Sequence, residues 1–169
     1  MIKYLCMCKN FFNHFGTITK HRWLVRKYCF ECGLIWQGLT HDLSKYSPEE
    51  FFQGCKYFQG DRSPTVAERL NEGASKAWMH HKGRNKHHPE YWIDFNDETR
   101  KYEPIMMPKE YLVECFCDRI AASKIYLKDK YTDSAPLEYH INKDYYLPIH
   151  PDTKKQLIFL LTMLKDKGE

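Results

Sequence analysis

The chain has 169 residues and a mass of 20.4 kDa, a length that suits one domain rather than two. Hydrophobic residues make up 43% of the sequence and charged residues 28%, which excludes a disordered tail. The 26 lysines and arginines exceed the 22 aspartates and glutamates by four, too small an excess to indicate a nucleic-acid surface by itself. The nine histidines are unusual, because four of them lie within positions 80–88.

The sequence also argues against membrane and secreted proteins. No segment approaches the roughly 18 uninterrupted apolar residues of a membrane helix. Lys3, Lys9 and His14 interrupt the apolar start of the chain, unlike the core of a signal peptide. We therefore expect a cytoplasmic protein with no membrane partner. In that compartment the seven cysteines, an odd number, are expected to be reduced and mostly buried.

The first half of the chain carries the signals of three helices. Thr17 or Thr19 can cap the first helix, which Gly33 ends. A serine followed by proline and two glutamates at 47–50 is typical of the capped start of a second helix. A second Ser-Pro pair begins a third helix, whose apolar spacing continues over 63–81.

The second half of the chain contains two more helices and two long connections. Pro108 begins a helix that continues to about Lys128, and Asp152 can cap the last helix. The stretches 82–107 and 129–151 are predicted to be ordered loops. Loops of this length are uncommon in a compact domain, so we expect them to carry function.

Helical signals thus dominate the sequence. No stretch shows sustained strand alternation, and no internal repeat, low-complexity tract or linker divides the sequence. The prediction is an all-α fold: a single compact helical domain of five or six helices that spans residues 1–169, with its core over about 17–165.

Polar side chains interrupt three of the predicted apolar faces, at His21, His81 and Asp118. A buried charge without a partner is very costly, so each of these residues needs one. Taken singly, each histidine is compatible with a hydrogen-bonded core residue, and Asp118 with an ordinary ion pair. Because the three lie on three different helices, together they indicate a shared metal centre.

The pair His41-Asp42 follows an apolar segment that would carry it into the interior. The order His21, His41-Asp42, histidine cluster, Asp118 resembles the HD superfamily of metal-dependent phosphohydrolases, whose ligands follow the order H…HD…D. The string HDLSK is also similar to the HD-x-G-K form of many of those enzymes. The resemblance implies that Lys45 lies near a substrate phosphate.

A second resemblance covers most of the chain, from about His21 to Lys154. The strings HDLSKYSPEEF, YFQG, HHKGRNKHHPEYW and CDRIAAS resemble an uncharacterised family of short HD-like proteins from bacteria and phages, a domain of unknown function. That family has no activity to transfer to this chain. The chain also departs from typical HD domains, because His21 and His41 are only 20 positions apart. The two can meet if segment 34–40 is not a full helix, or if the helices splay.

The histidine cluster leaves the choice of ligands open. His81 continues an apolar stripe and should point inward, whereas His80 points about 100° away and is a possible ligand of a second ion. A loop large enough to fold back on one ion then carries His87 and His88. Imidazole and carboxylate together suit Mn, Fe, Co, Ni or Zn, as one or two ions. The predicted metal ligands are His21, His41, Asp42, His81, His88 and Asp118.

These ligands predict a hydrolase of phosphate esters. A bound ion lowers the pKa of its water, which can then attack phosphorus, and the developing negative charge needs cations nearby. We expect a small phosphorylated substrate, such as a nucleotide, with Asp42 and Lys45 as catalytic residues. The residues predicted to contact the substrate are Lys45, His80, Arg84, Lys86 and His87.

Two other functions remain open at this stage. The site could stabilise a non-catalytic binding domain, because a fold does not fix a function. The basic segment 82–88 could instead bind nucleic acid, with Tyr91 and Trp92 as stacking groups, although the net charge of only +4 disfavours this reading. Nothing in the sequence fixes the oligomeric state.

Overall fold

The structure, a computed structural model, describes the backbone of residues 2–143 and 147–168 and the side chains of residues 10–142 and 147–168. These ranges contain eight α-helices and one two-stranded antiparallel sheet. The prediction of a mostly helical compact domain is confirmed, but the helices outnumber the expected five or six. The helices are α1 (Ile2–Glu31), α2 (Ile35–Thr40), α3 (Pro48–Tyr57), α4 (Pro64–Glu72), α5 (Lys76–Lys82), α6 (Lys109–Leu127), α7 (Ala135–Lys143) and α8 (Pro151–Lys167). The strands are β1 (Ile93–Asn96) and β2 (Lys101–Pro104).

The two longest helices, α1 and α6, pack directly on each other. Val25 and Cys29 of α1 meet Cys117 and Ala121 of α6 in a fully buried apolar cluster. A second apolar cluster joins the other side of α6 to α8, around the fully buried Leu157. Burial of this kind contributes about 25 cal/mol per Å² of apolar surface, so the α1–α6 contact stabilises the part of the fold beside which the site lies.

Helix α1 begins much earlier than predicted. It starts at Ile2, so neither Thr17 nor Thr19 is its cap. The hydroxyl of Thr17 instead donates to the carbonyl of Asn13 at 2.9 Å, as a threonine inside a helix often does. The predicted end is close to the observed one, because Gly33 follows the helix with a left-handed φ of 75°.

The helix predicted over 63–81 is two helices, α4 and α5. Gly73 adopts a φ of 79° and ends α4. The hydroxyl of Ser75 accepts the backbone N–H of Trp78 at 3.0 Å and so caps a new helix. Leu70, which the apolar spacing over 63–81 would place on the buried face, is 80% exposed. Helix α5 is therefore oriented by its own cap, and this orientation determines where His81 points.

The stretches predicted as loops contain regular structure. Strands β1 and β2 form a hairpin in the first, with Ile93 paired to Pro104, and α7 lies in the second. The strands are only four residues long and none of their residues is fully buried, so they leave no alternating apolar pattern for the sequence to show. The last helix also starts differently, because the ring of His150 accepts the backbone N–H of Asp152 at 3.2 Å. Asp152 is thus inside the helix and is not its cap.

Most of the described cysteines are buried, as expected for thiols that pack in the core. Among the described side chains, Cys32 is exposed and the other free cysteines are buried. Those buried thiols are Cys29, Cys55, Cys115 and Cys117. Cys6 and Cys8 lie outside the described side chains. None of the described helices is long and apolar enough to cross a bilayer.

Candidate metal centre

Four side chains from three parts of the chain converge beside the α1–α6 contact, and we call them the first cluster: His21, His41, Asp42 and Asp118. His21 Nε2 lies 2.9 Å from Asp118 Oδ1 and 3.5 Å from Asp42 Oδ2. His41 Nε2 lies 3.2 Å from Asp42 Oδ2 and 3.6 Å from Asp118 Oδ1. All but Asp118, which is 18% exposed, are buried. The cluster thus contains every residue of the H…HD…D order.

Helix α2 brings His41 back to His21 despite the short separation in sequence. Segment 35–40 is helical, so the first of the two expected routes, a segment that is not a full helix, does not occur, yet the two Nε2 atoms are 3.4 Å apart. The imidazoles reach across the remaining gap between the backbones. Arg22 fixes this geometry, because its Nε donates to the carbonyl of His41 at 2.7 Å and its guanidinium also donates to that of Leu39 at 3.2 Å. Asp42 then turns with a left-handed φ of 53°, a conformation that aspartate tolerates better than most residues.

A second group of histidines approaches Asp42 from its other side, and Asp42, His81, His87 and His88 form the second cluster. His81 Nε2 lies 3.2 Å from Asp42 Oδ1, and His87 Nε2 lies 3.5 Å from the same oxygen. The rings of His87 and His88 have centroids 4.1 Å apart. Asp42 therefore belongs to both clusters, with Oδ2 facing the first and Oδ1 facing the second.

The donor atoms of the two clusters fit transition-metal ions. Ligands held about 2.0–2.2 Å from one ion are about 3.0–3.6 Å apart, the range observed here. The Nε2 atoms of His87 and His88 are buried and have no hydrogen-bond partner among the described residues. Leaving such atoms without a partner is costly, so a ligand is expected. Imidazole with carboxylate is a donor set typical of Mn, Fe, Co, Ni or Zn.

Two buried glutamates contact the Nδ1 atoms of these histidines, the ring nitrogens that point away from Asp42. Glu114 Oε1 accepts from His41 Nδ1 at 2.8 Å and lies 3.2 Å from His87 Nδ1. Glu50 Oε2 accepts from His81 Nδ1 at 2.7 Å. An imidazole whose Nδ1–H is donated in this way keeps its Nε2 lone pair for a metal ion. His41, His87 and Glu114 are also close enough to form a third possible group, but there Glu114 faces the nitrogens that point away from Asp42.

Electrostatics keeps both carboxylates of the first cluster ionised. Burial by itself would raise the pKa of Asp42, but the charges of His41 and Lys45 hold that pKa well below its usual value. Burial opposes ionisation of Asp118 in the same way, and its contact with His21 lowers the pKa strongly. The ammonium of Lys45, 2.6 Å from Asp42 Oδ2, has a raised pKa in turn, because the Asp42 carboxylate outweighs the effect of burial. Both acids are thus ready to bind a cation.

Two histidines of the second cluster, His87 and His88, differ in charge from His41, whereas contacts with Asp42 and Glu50 outweigh burial and raise the pKa of His81. Burial and the neighbouring His87 and His81 lower the pKa of His88 well below its usual value. Burial and His41 also lower the pKa of His87. Burial works against the charged form of His41 as well, but Asp42 and the other carboxylates raise its pKa. His87 and His88 are therefore neutral near pH 7, which is the form that binds metal ions.

The other residues predicted to contact substrate have separate places. Lys45 lies beside Asp42, with 32% of its side chain exposed. Arg84 and Lys86 line a cleft of about 200 Å³ that reaches the Glu114 side of the first cluster. His80 points away from Asp42, and its Nδ1 donates to Glu50 Oε1 at 2.6 Å. His87, predicted as a substrate contact, lies in the second cluster together with His88.

The sequence-based search missed the two glutamates. Glu114 comes four residues before Asp118 and so lies one helical turn away on the same face of α6, a spacing that could have revealed it. Glu50 resembles the glutamate of a capping box, which concealed its role. Ser47, the supposed partner in that box, makes no capping hydrogen bond with its side chain, and Glu50 turns inward to the histidines.

Comparison with known proteins identifies a family whose function is unknown. A family model described as a family of unknown function, DUF5662, matches residues 10–163 of the chain. No curated protein matches the chain. No solved structure matches it either.

Proposed function

The chain belongs to the DUF5662 family of unknown function, so its activity has to be inferred from the site, and we propose a metal-dependent phosphohydrolase of HD-like fold. The observation that carries this proposal is Asp42, whose two carboxylate oxygens face two separate sets of histidines. A carboxylate shared in this way is the arrangement that two-metal hydrolases use to hold a pair of ions. The H…HD…D order of the first cluster supports the same conclusion.

The residues of each cluster have distinct roles in this proposal. His21, His41, Asp42 and Asp118 would hold the first ion, and Asp42, His81, His87 and His88 the second. Bound ions would supply a Lewis acid and a water of lowered pKa. Lys45 would be the catalytic cation, because its ammonium lies beside Asp42 and could contact a phosphoryl oxygen, where negative charge develops.

The substrate that fits these groups is a small phosphate ester, such as a nucleotide. Lys45 is the cation beside the carboxylates, and Arg84 and Lys86 offer further positive charge in the cleft on the Glu114 side of His41 and His87. The same cleft is lined by Trp36 and Tyr111, whose rings can pack against a base or another flat group. This composition favours a phosphorylated molecule with an aromatic part over inorganic phosphate.

Metal content is the first test. The protein is produced without a histidine tag in medium that contains Mn, Fe, Co, Ni and Zn, and the bound metal is measured by elemental analysis. We expect one or two ions per chain in the wild-type protein and their loss in Asp42→Ala, because Asp42 belongs to both clusters. His150→Ala, a histidine outside both clusters, should keep the full metal content. A folded wild-type protein without metal, or an Asp42→Ala variant with unchanged metal content, would contradict the proposal.

Turnover is the second test. Nucleoside mono-, di-, tri- and cyclic phosphates are screened with the metal-loaded protein by measuring phosphate or nucleoside release. Lys45→Met should lower kcat by about 100-fold while the metal content is kept, because a cation aimed at the developing charge is lost. Lys109→Met, at an exposed lysine at the start of α6, is the matched control and should leave kcat unchanged. If metal raises the melting temperature but no ester turns over, the protein is instead a metal-stabilised binding domain.

A further inference from the structure

Glu114 contacts both clusters through a single atom. Its Oε1 lies 2.8 Å from Nδ1 of His41, a member of the first cluster, and 3.2 Å from Nδ1 of His87, a member of the second. The glutamate is buried, and the two imidazole rings lie with their centroids 4.4 Å apart. We propose that Glu114 is a positioning residue that couples the two metal-binding clusters. This inference rests on the proposed function, because it assumes that both clusters hold ions.

The hydrogen bonds explain how one residue can position two ligands. Each imidazole can donate from one nitrogen and bind a metal ion with the other. When Nδ1–H of His41 and of His87 is donated to Oε1, both rings turn their Nε2 atoms toward Asp42. Removing an outer partner of this kind typically costs about 10–100-fold in metal affinity. Loss of Glu114 should therefore weaken both sites.

The shared oxygen also makes the two sites depend on each other. An ion bound through His41 fixes that ring, and the ring fixes the position of Oε1. The contact of the same Oε1 with Nδ1 of His87 is then already in place before the second ion binds. Because part of the ordering has been completed by the first ion, the second ion should bind more tightly than it would alone.

Glu50 provides an internal control of the same residue type. It is as buried as Glu114, but it holds His81 and His80, and only His81 belongs to a cluster. Loss of Glu50 should therefore weaken the second site alone. The two glutamates differ in the number of clusters they reach, so their variants separate coupling from a general effect of removing a buried carboxylate.

The experiment measures Co²⁺ binding by titration calorimetry in two one-site backgrounds. Asp118→Ala disables the first cluster and His88→Ala disables the second. Glu114→Leu is expected to weaken the remaining site about 10–100-fold in both backgrounds, and Glu50→Leu only in the Asp118→Ala background. Glu114→Gln keeps an oxygen acceptor and should show a smaller loss at both sites, which also serves as the test if the leucine variant does not fold.

A second measurement uses the metal-free protein. Nitrogen-15 spectra of the histidine rings report which nitrogens carry protons, and we expect a proton on Nδ1 of both His41 and His87. Glu114→Leu should change the signals of both rings, whereas Glu50→Leu should leave them in place. A Glu114→Leu protein that loses affinity in only one background, or in neither, overturns the coupling. A wild-type protein that binds no Co²⁺ contradicts the proposed function itself.

Discussion

The imidazole ring of His14 on α1 packs against Gly54 on α3, so the contact between the two helices is sensitive to a single added methyl group. A Cβ atom built on Gly54 would lie 1.9 Å from Nε2 of His14 and 2.5 Å from its Cε1. The ring has little room to move away, because Phe51 and Phe58 lie against it with centroids 5.5 and 5.7 Å distant. Gly54→Ala should therefore force α1 and α3 apart.

The size of the effect follows from two opposing contributions. Overpacking a buried site costs about 1–3 kcal/mol, and a contact of 1.9 Å places this one at the upper end. Replacing glycine by alanine inside a helix recovers about 1 kcal/mol. The expected net loss is about 2 kcal/mol of unfolding free energy, or about 4–8 °C in Tm for a chain of this length. Because Glu50 lies one turn earlier on α3, the displacement should also reach His81.

The assay is thermal and urea unfolding followed by circular dichroism, with a chelator present so that metal binding does not contribute. The same substitution is made in a His14→Ala background, where the clash is absent. There Gly54→Ala should stabilise the protein by up to about 1 kcal/mol, so that the sign of the effect reverses. Equal effects in the two backgrounds, or a neutral Gly54→Ala in the wild type, would refute the reasoning.

Three further predictions concern stability. Burial lowers the pKa of His14 to about 4 from its ordinary 6.5. Between those pH values the unfolded chain binds a proton at this residue and the folded protein does not, so the free energy of unfolding falls as the pH falls. The expected loss is about 1.4 kcal/mol at pH 5.5. Urea unfolding at several pH values should show this loss in the wild type and not in His14→Ala. Ser75→Ala removes the cap that holds Trp78 N–H and should cost about 1 kcal/mol, measured by urea unfolding. Thr153→Val leaves the buried N–H of Met107 without its acceptor and should lower the free energy of unfolding by about 1–3 kcal/mol in the same assay. An unchanged urea midpoint would show that another group replaces the hydroxyl.

The sequence predicts helices best where a residue limits the backbone. Pro48, Pro64 and Pro108 lie at or next to the starts of α3, α4 and α6, and Gly33 follows the end of α1. These signals are local, so they do not depend on the rest of the fold. The early start of α1 has no such signal, and Gly73 breaks a helix whose apolar spacing continues across it. Packing decides the start of α1, whereas at Gly73 the local signals of the glycine and the Ser75 cap override the apolar spacing.

The sequence predicts most of the metal-ligating residues, but it does not predict how they divide between the first and second clusters. The motif order singles out His21, Asp42 and Asp118, and the structure brings them together. The assignment of His87 and His88 depends on how the loop after α5 folds back, which no spacing rule determines. Glu114 was missed because its role depends on a distance across the structure to His41, which follows α2, from its own place on α6. Ligand order along a chain is thus easier to read than the contacts that orient the ligands.

The first cluster draws its members from positions far apart in the chain, since His21 and Asp118 are 97 positions apart. An ion bound there would act as a cross-link, since it closes a loop that the unfolded chain leaves open. Metal supply would then control the lifetime of the protein as well as its chemistry, because the metal-free chain opens more often and offers more sites to a protease. A cell short of metal would lose the protein by degradation instead of accumulating an inactive form.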